Sequence, residues 1–227
     1  NNIHPTASIH PTAILRENVI VGENAVISAN TKIGHNTQIG RYTKIGSNTQ
    51  IGHNTQIGNY AQIYKCTQVG NWVRIGDDAE IGHNTQIGDD TRIGDDTRID
   101  SCTRIGSHVQ IGSNTKIGND TQISDYTTIN DSVRIGHSTQ IKNNIQIGNK
   151  TQIDNNVLLN HNPLCIQGSK HVVYEYAPGI LGVGCTQLPI EQWLEQADAI
   201  GKKHGYTQQQ IEEYKLYFKL YEQLLAQ

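Results

Sequence analysis

Every sixth residue from Ile3 to Leu159 is aliphatic, and the count runs through Ile9, Leu15, Val21, Ile27 and on to Ile147 and Ile153 without an insertion or a slip. Two residues before each, from Ile9 on, stands a small or β-branched residue, Ala7, Ala13, Ala25, Thr31, Thr37 and Thr121 among them. Most of the aliphatic residues are followed by Gly, as in Ile33-Gly34 and Ile111-Gly112. Such a period constrains the fold more than any local motif, because self-similar units bury their apolar edges only by stacking. Within T-x-I the alternation turns Thr and Ile inward and the residue between them outward, as in a strand buried on one face. Gly and the Asn- and Asp-rich pair after it supply turns, including φ > 0, that break the strand every sixth residue. Three hexads close a triangular coil of about 18 residues, which gives about nine coils; with strands about 4.8 Å apart the prism is ~40 Å long.

Composition agrees with a narrow repetitive core. Phe occurs once and Met never, while Thr, Asn, Gln, Gly and Asp fill the positions between the isoleucines, too little apolar variety for a two-layer domain. The formal charge of −3 does not favour nucleic acid as a partner. No apolar run approaches the roughly 18 residues of a membrane span. The expectation is a soluble chain, with the cytoplasm and a virion or cell exterior both open. The first residue, Asn1, leaves a processed leader open as well.

The segment I-H-P-T-A-S-I-H-P-T-A-I-L from Ile3 to Leu15, and the I-G-x-N-T-x run after it, resemble the hexapeptide-repeat superfamily typified by LpxA-like acyltransferases. That resemblance implies a left-handed parallel β-helix, against the usual right-handed crossover rule, and a homotrimer. For an enzyme of this type it implies an acyl-CoA or acyl-carrier-protein donor; for the related carbonic anhydrases, zinc held by three histidines across a subunit interface. One departure is that Thr dominates the inward small position where many members carry Ala, Cys or Ser.

With 18 residues per coil, side chains 18 apart form columns along faces and corners. His35 over His53 are metal candidates, since two imidazoles about 5 Å apart could share an ion, although exposed turn histidines at a variable position explain them as well. His83 and His137 share a column three coils apart, roughly 14 Å, with no third ligand between them. Asp77 over Asp95 and Asp78 over Asp96 bring like charges together. Calcium would answer that, and ion pairs with Arg74, Arg92 and Arg98 answer it more plainly. The outward column Gln50, Gln68, Gln86, Arg104, Gln122, Gln140 reads as an amide ladder. Cys66 and Cys102 lie two coils apart, near 9.6 Å, beyond disulfide reach, and are expected to be free thiols.

After Leu159 the period fails, which divides the chain into residues 1–160 and a small α+β module of capping or oligomerising character at 161–227. Leu164–Gln167, Val172–Tyr176 and Ile180–Val183 read as strands. Pro189 opens a helix carrying Ile190, Trp193, Leu194, Ala197 and Ile200 on one face. Thr207 with Gln210 forms a capping box for a last helix. On that helix Ile211, Tyr214, Phe218, Tyr221 and Leu225 form either a two-heptad coiled-coil seam or an apolar face covering the module itself. His161, Cys165, His171 and Cys185 crowd the junction as candidate zinc ligands, in a spacing that fits no known motif. G-S-K-H-V-V-Y and K-K-H-G-Y-T resemble small phage-like and uncharacterised bacterial modules, and the latter also resembles a helical segment of LpxA-like enzymes.

The near-identical copies of IGHNTQIG at residues 33–40, 51–58 and 81–88, and the lack of the loops with which LpxA-like enzymes usually close their active sites, point away from catalysis. The expectation is therefore a non-enzymatic, structural or display rod, homotrimeric, with a protein or glycan surface as partner. It carries no cofactor and no assignable catalytic or cofactor-binding residue. An acyltransferase using acyl-CoA or acyl-carrier protein is the first alternative, and a carbonic-anhydrase-like zinc enzyme the second.

Overall fold

The computed structural model describes residues 1–177 and 179–225; the side chains of Cys165 and Ala177 lie outside the described set. The chain forms two compact units, Asn1–His161 and Asn162–Gln227.

The first unit is the expected left-handed parallel β-helix. Two-residue strands recur every six residues and sort into three nine-stranded parallel sheets. A first face begins at Asn2–Ile3, a second at Ser8–Ile9 and a third at Ile14–Leu15. Strands pair in register with those 18 residues on, Gln38 with Gln56 and Ile39 with Ile57 for instance. From Val21 to Leu159 every sixth residue, the inward Ile, Val or Leu of the strand, is at most 5% exposed.

Thr at the other inward position has a physical reason. Its hydroxyl donates to a corner carbonyl of the next coil, from Thr43 to Gly58 at 2.8 Å and from Thr37 to Gly52 at 2.9 Å. Ala could fill that space but could not bond the carbonyl.

The turns divide their work differently from expectation. Every sixth residue from Asn18 to Asn156 is non-Gly with φ between 52° and 61°, so the left-handed conformation falls two residues after the glycine position. Gly34 answers a different demand, since a Cβ there would stand 2.6 Å from the Gly52 carbonyl carbon. The glycine lets coils approach, and Asn, which tolerates the left-handed region, turns the chain.

Corner side chains hold consecutive coils together. The residue between Gly and the left-handed residue accepts the backbone N–H of its counterpart 18 residues earlier: Asp77 from Asn59 at 2.6 Å, Asp95 from Asp77 at 2.8 Å. This corrects the expected pairing of these aspartates with arginines. Their charge is met by amides, while Arg98 pairs with Glu80 at 3.5 Å and Asp100 at 3.0 Å. The amide ladder is also displaced. No Gln-to-Gln hydrogen bond occurs along the Gln50–Gln140 column among the described residues; Arg104 Nε donates to Gln86 Oε1 at 3.3 Å. The ladder runs along a corner instead, from Asn18 to Asn36 at 3.0 Å and Asn36 to Asn54 at 3.3 Å.

The second unit is an antiparallel sheet of Cys165–Gln167, Val172–Ala177, Ile180–Val183 and Thr186–Pro189, followed by helices α1 (Ile190–Lys203) and α2 (Gln208–Leu225). The Thr207/Gln210 capping box forms, with bonds of 3.0 and 3.3 Å. Ile211, Tyr214, Phe218 and Tyr221 are buried within this unit, so α2 covers its own sheet and helix; Leu225 is exposed. Tyr221 donates 2.7 Å to the buried Glu175 carboxylate and accepts the Gly179 amide at 2.9 Å. The fourth strand, Thr186–Pro189, was not expected, because T-Q-L-P carries no alternation of apolar residues.

Candidate functional site

His35 and His53 stack with ring centroids 5.0 Å apart. His53 Nδ1 accepts the His35 amide at 2.9 Å, while His35 Nδ1 caps no amide and lies 3.9 Å from Glu17. The pair belongs to the corner ladder. His161 closes the first unit and bonds Asn160 at 2.9 Å. His171 lies in the second unit, with Nδ1 on the Tyr206 hydroxyl. Cys185 is an exposed free thiol, as are Cys66 and Cys102, and the side chain of Cys165 lies outside the described residues. Among the described residues no three His, Cys, Asp or Glu side chains converge as a metal site.

His83 departs from the corner rule that His53 and His137 follow. His137 Nδ1 accepts the Asn119 amide at 2.9 Å, just as His53 accepts that of His35. His83 holds the same place in the hexad and the same column as His137, yet makes no such bond to Lys65. Its Nδ1 is buried without a hydrogen-bond partner. The cause lies one coil back, where Tyr64 replaces the usual Gly and its ring packs 4.9 Å from the imidazole at a 55° tilt. The His83 amide still donates to Ser101 Oγ at 3.1 Å, so the backbone keeps its place while the ring is released from the ladder. A buried unpaired polar atom is destabilising and calls for a reason.

Charged groups gather beside this ring. On the second face Glu80 pairs in register with Arg98 and Arg98 with Lys116. The guanidinium is held charged by its hydrogen bond to Asp100 and by Glu80, which push its pKa up. Tyr64 thus carries the His83 ring on its side, and Glu80, Arg98 and Asp100 set a fixed ion pair on the same sheet, whose outward residues differ from coil to coil. Sequence reading placed His83 in its column but missed its difference from His137. The signal was Tyr64 standing in a glycine position.

The chain matches the bacterial transferase hexapeptide (six repeats) family in overlapping windows that run from residue 19 to residue 125. No curated protein matches it. Among solved structures it is similar to UDP-N-acetylglucosamine O-acyltransferase (LpxA) from Moraxella catarrhalis, at 20% identity over 98% of this chain and 94% of that one, with a TM-score of 0.48. It is also similar to UDP-N-acetylglucosamine acyltransferase from Francisella novicida, at 20% identity over 96% of this chain and 78% of that one, TM-score 0.36. A third is the acetyltransferase domain of PglB from Neisseria gonorrhoeae, at 19% identity over 45% of this chain and 47% of that one, TM-score 0.37.

The family match overturns the expected non-enzymatic rod, because these uninterrupted coils match the repeat of bacterial transferases. Near-identity of coils was a poor argument against a site, since a few side chains that break the corner pattern, such as Tyr64, suffice to single out one coil. No helix among the described residues is long and apolar enough to cross a membrane. Residues 19–125 of the solenoid carry the hexapeptide repeat of bacterial transferases.

Proposed function

We infer that this chain is an acyltransferase, taking an acyl group from a thioester donor, acyl-CoA or acyl-carrier protein, to a hydroxyl or amine acceptor, and that it acts as a homotrimer. The observation that carries this reading is the match of residues 19–125 to the repeats of bacterial transferases. His83, within that stretch, is the side chain best suited to the proton transfer.

In this reaction the base takes a proton from the acceptor O–H or N–H while the acceptor atom attacks the thioester carbonyl carbon. The C–S bond then breaks, and the proton returns to the departing sulfur. A histidine that must exchange protons cannot have its nitrogens consumed by structure. His53 and His137 each give Nδ1 to a backbone amide. His83 does not; its Nδ1 is sealed against solvent, which leaves Nε2 for proton exchange. The Arg98–Asp100–Glu80 network keeps a fixed cation close by, suited to the negative charge of a donor or of the developing oxyanion.

Calorimetric titration of the full chain with acetyl-CoA and with a medium-chain acyl-CoA tests the reading. Saturable binding of at least one donor is expected, retained by His83→Asn, since Asn is an accepted cap at this position as Asn119 shows in the same column. Absence of binding by both donors, and by acylated carrier protein, would overturn it.

A further inference from the structure

We propose that the second unit holds a binding site for a small neutral apolar molecule, of the size of one aromatic ring, in the cavity between its sheet and its two helices. The site is independent of the transferase reading. The cavity measures about 100 Å³ and is walled by Trp193, Ala197, Phe218 and Ile211 inside, with Cys185 and His204 among the polar residues lining it.

Three observations carry the assignment. Protein interiors are close-packed, and a void is destabilising in proportion to its volume. This one nevertheless persists in a unit of only 66 residues, Asn162–Gln227. It is not a general looseness, because Gly201 on α1 is packed so tightly that a Cβ there would meet Ile211 Cγ1 at 2.6 Å, while Ala197, one turn earlier, faces the open space.

The rim, secondly, is built rigidly. Tyr214 Oη donates to the His171 carbonyl at 2.6 Å and accepts the Lys170 amide at 3.1 Å, and the Tyr206 ring packs edge-on to Tyr214 at 5.2 Å. Lys170 Nζ lies 4.4 Å over Tyr206 and donates to the carbonyls of His204 and Gly205, each at 2.9 Å. A preformed opening loses little entropy when it is filled.

Thirdly, the lining holds no Asp, Glu, Lys or Arg. The carbonyls of His204 and Gly205 hold the Lys170 ammonium at the rim, so a charged guest inside would shed its hydration without an ionised side chain on the cavity wall, which is unfavourable. Apolar cavities of about 150 Å³ admit benzene, and about 100 Å³ open at a rim suits a ring or a chain of four to five carbons. The His171–Tyr206 hydrogen bond gives the rim a polar edge that a hydroxyl of the guest could join.

The test uses the full chain. Trp193 Nε1–H donates to the Leu181 carbonyl at 2.8 Å, and its indole resonance, separated from that of Trp72 by Trp72→Phe, reports on the cavity wall. Benzene and phenol are expected to shift the Trp193 resonance saturably, and benzoate, with the same ring and a charge, at least tenfold more weakly. Ala197→Leu, which fills the space, is expected to raise the melting temperature and abolish the shift; Ala197→Val, a smaller filling, covers the case in which Leu does not fold. No saturable shift with benzene or phenol up to their solubility, benzoate bound as well as phenol, or binding unchanged in a folded Ala197 variant would each overturn the proposal.

Discussion

The ring of Tyr64 lies 4.9 Å from that of His83, and the Lys65 amide that His83 would otherwise cap goes without that partner. Restoring the consensus with Tyr64→Gly is expected to let His83 turn into the ladder as His137 does. Hydrogen exchange at the Lys65 amide should then slow by about tenfold, the worth of one neutral hydrogen bond of about 1 kcal/mol. Exchange as fast as in the parent chain would show that Tyr64 is not what holds His83 apart.

The threonine hydroxyls define a second expectation. Thr43→Val keeps the shape but removes the 2.8 Å bond to the Gly58 carbonyl. A loss of about 1 kcal/mol per site is expected in denaturant unfolding. Three such changes in well-separated coils should sum; no loss would mean that these hydroxyls merely fill space.

Gly34 and Asn36 separate close approach from left-handed backbone. At Gly34→Ala the new Cβ would press on the next coil at 2.6 Å, so a loss of about 1–3 kcal/mol is expected. At Asn36→Gly, where φ is 57°, the backbone fits either residue and only the Asn ladder is lost, so the change should stay within about 1 kcal/mol. Equal losses at both positions would contradict this division, and chemical denaturation of the two variants decides it.

The second unit should fail in alkali. Burial, above all, pushes the Tyr206 phenol up to about 12, and burial together with the Glu175 carboxylate raises that of Tyr221 further. A phenol whose folded pKa is raised contributes stability that is complete below the ordinary value of about 10 and is lost as pH climbs through the folded value. Near-ultraviolet circular dichroism should therefore hold up to about pH 10 and collapse above it. Tyr221→Phe takes one hydrogen-bond donor from the buried Glu175, whose other oxygen keeps the Leu164 amide, and is expected to destabilise the unit by about 1–3 kcal/mol at neutral pH. A unit intact well above pH 12, or an unchanged Tyr221→Phe, would count against these roles.

The coil and its core were legible in the sequence because the inward positions depend only on local alternation, and Ile33, Ile51 and Val69 all sit where the count of six places them. What the turns do was not legible. Gly34 and Asn36 are near neighbours of equal turn character, and only the approach of Gly52, 18 residues on, assigns one to closeness and the other to φ > 0. The compensation of Asp77 and Asp95 was missed for a like reason, since backbone amides leave no trace in side-chain composition. His83 looked like its column mate His137 because the difference resides in Tyr64, 19 residues earlier. In the second unit the strands and helices followed local patterns, but a cavity between α1 and the sheet arises from packing that no periodicity encodes.

Release of free thiol from acyl-CoA in the presence of hydroxyl and amine acceptors, measured for the full chain and for His83→Asn, tests the central claim most directly. Acceptor-dependent turnover in the parent chain and a fall of about 10²–10⁴-fold in the variant, with donor binding retained, are expected. Turnover equal in the two proteins would remove His83 from the chemistry, and no turnover in either, across both donor types, would contradict the transferase reading itself.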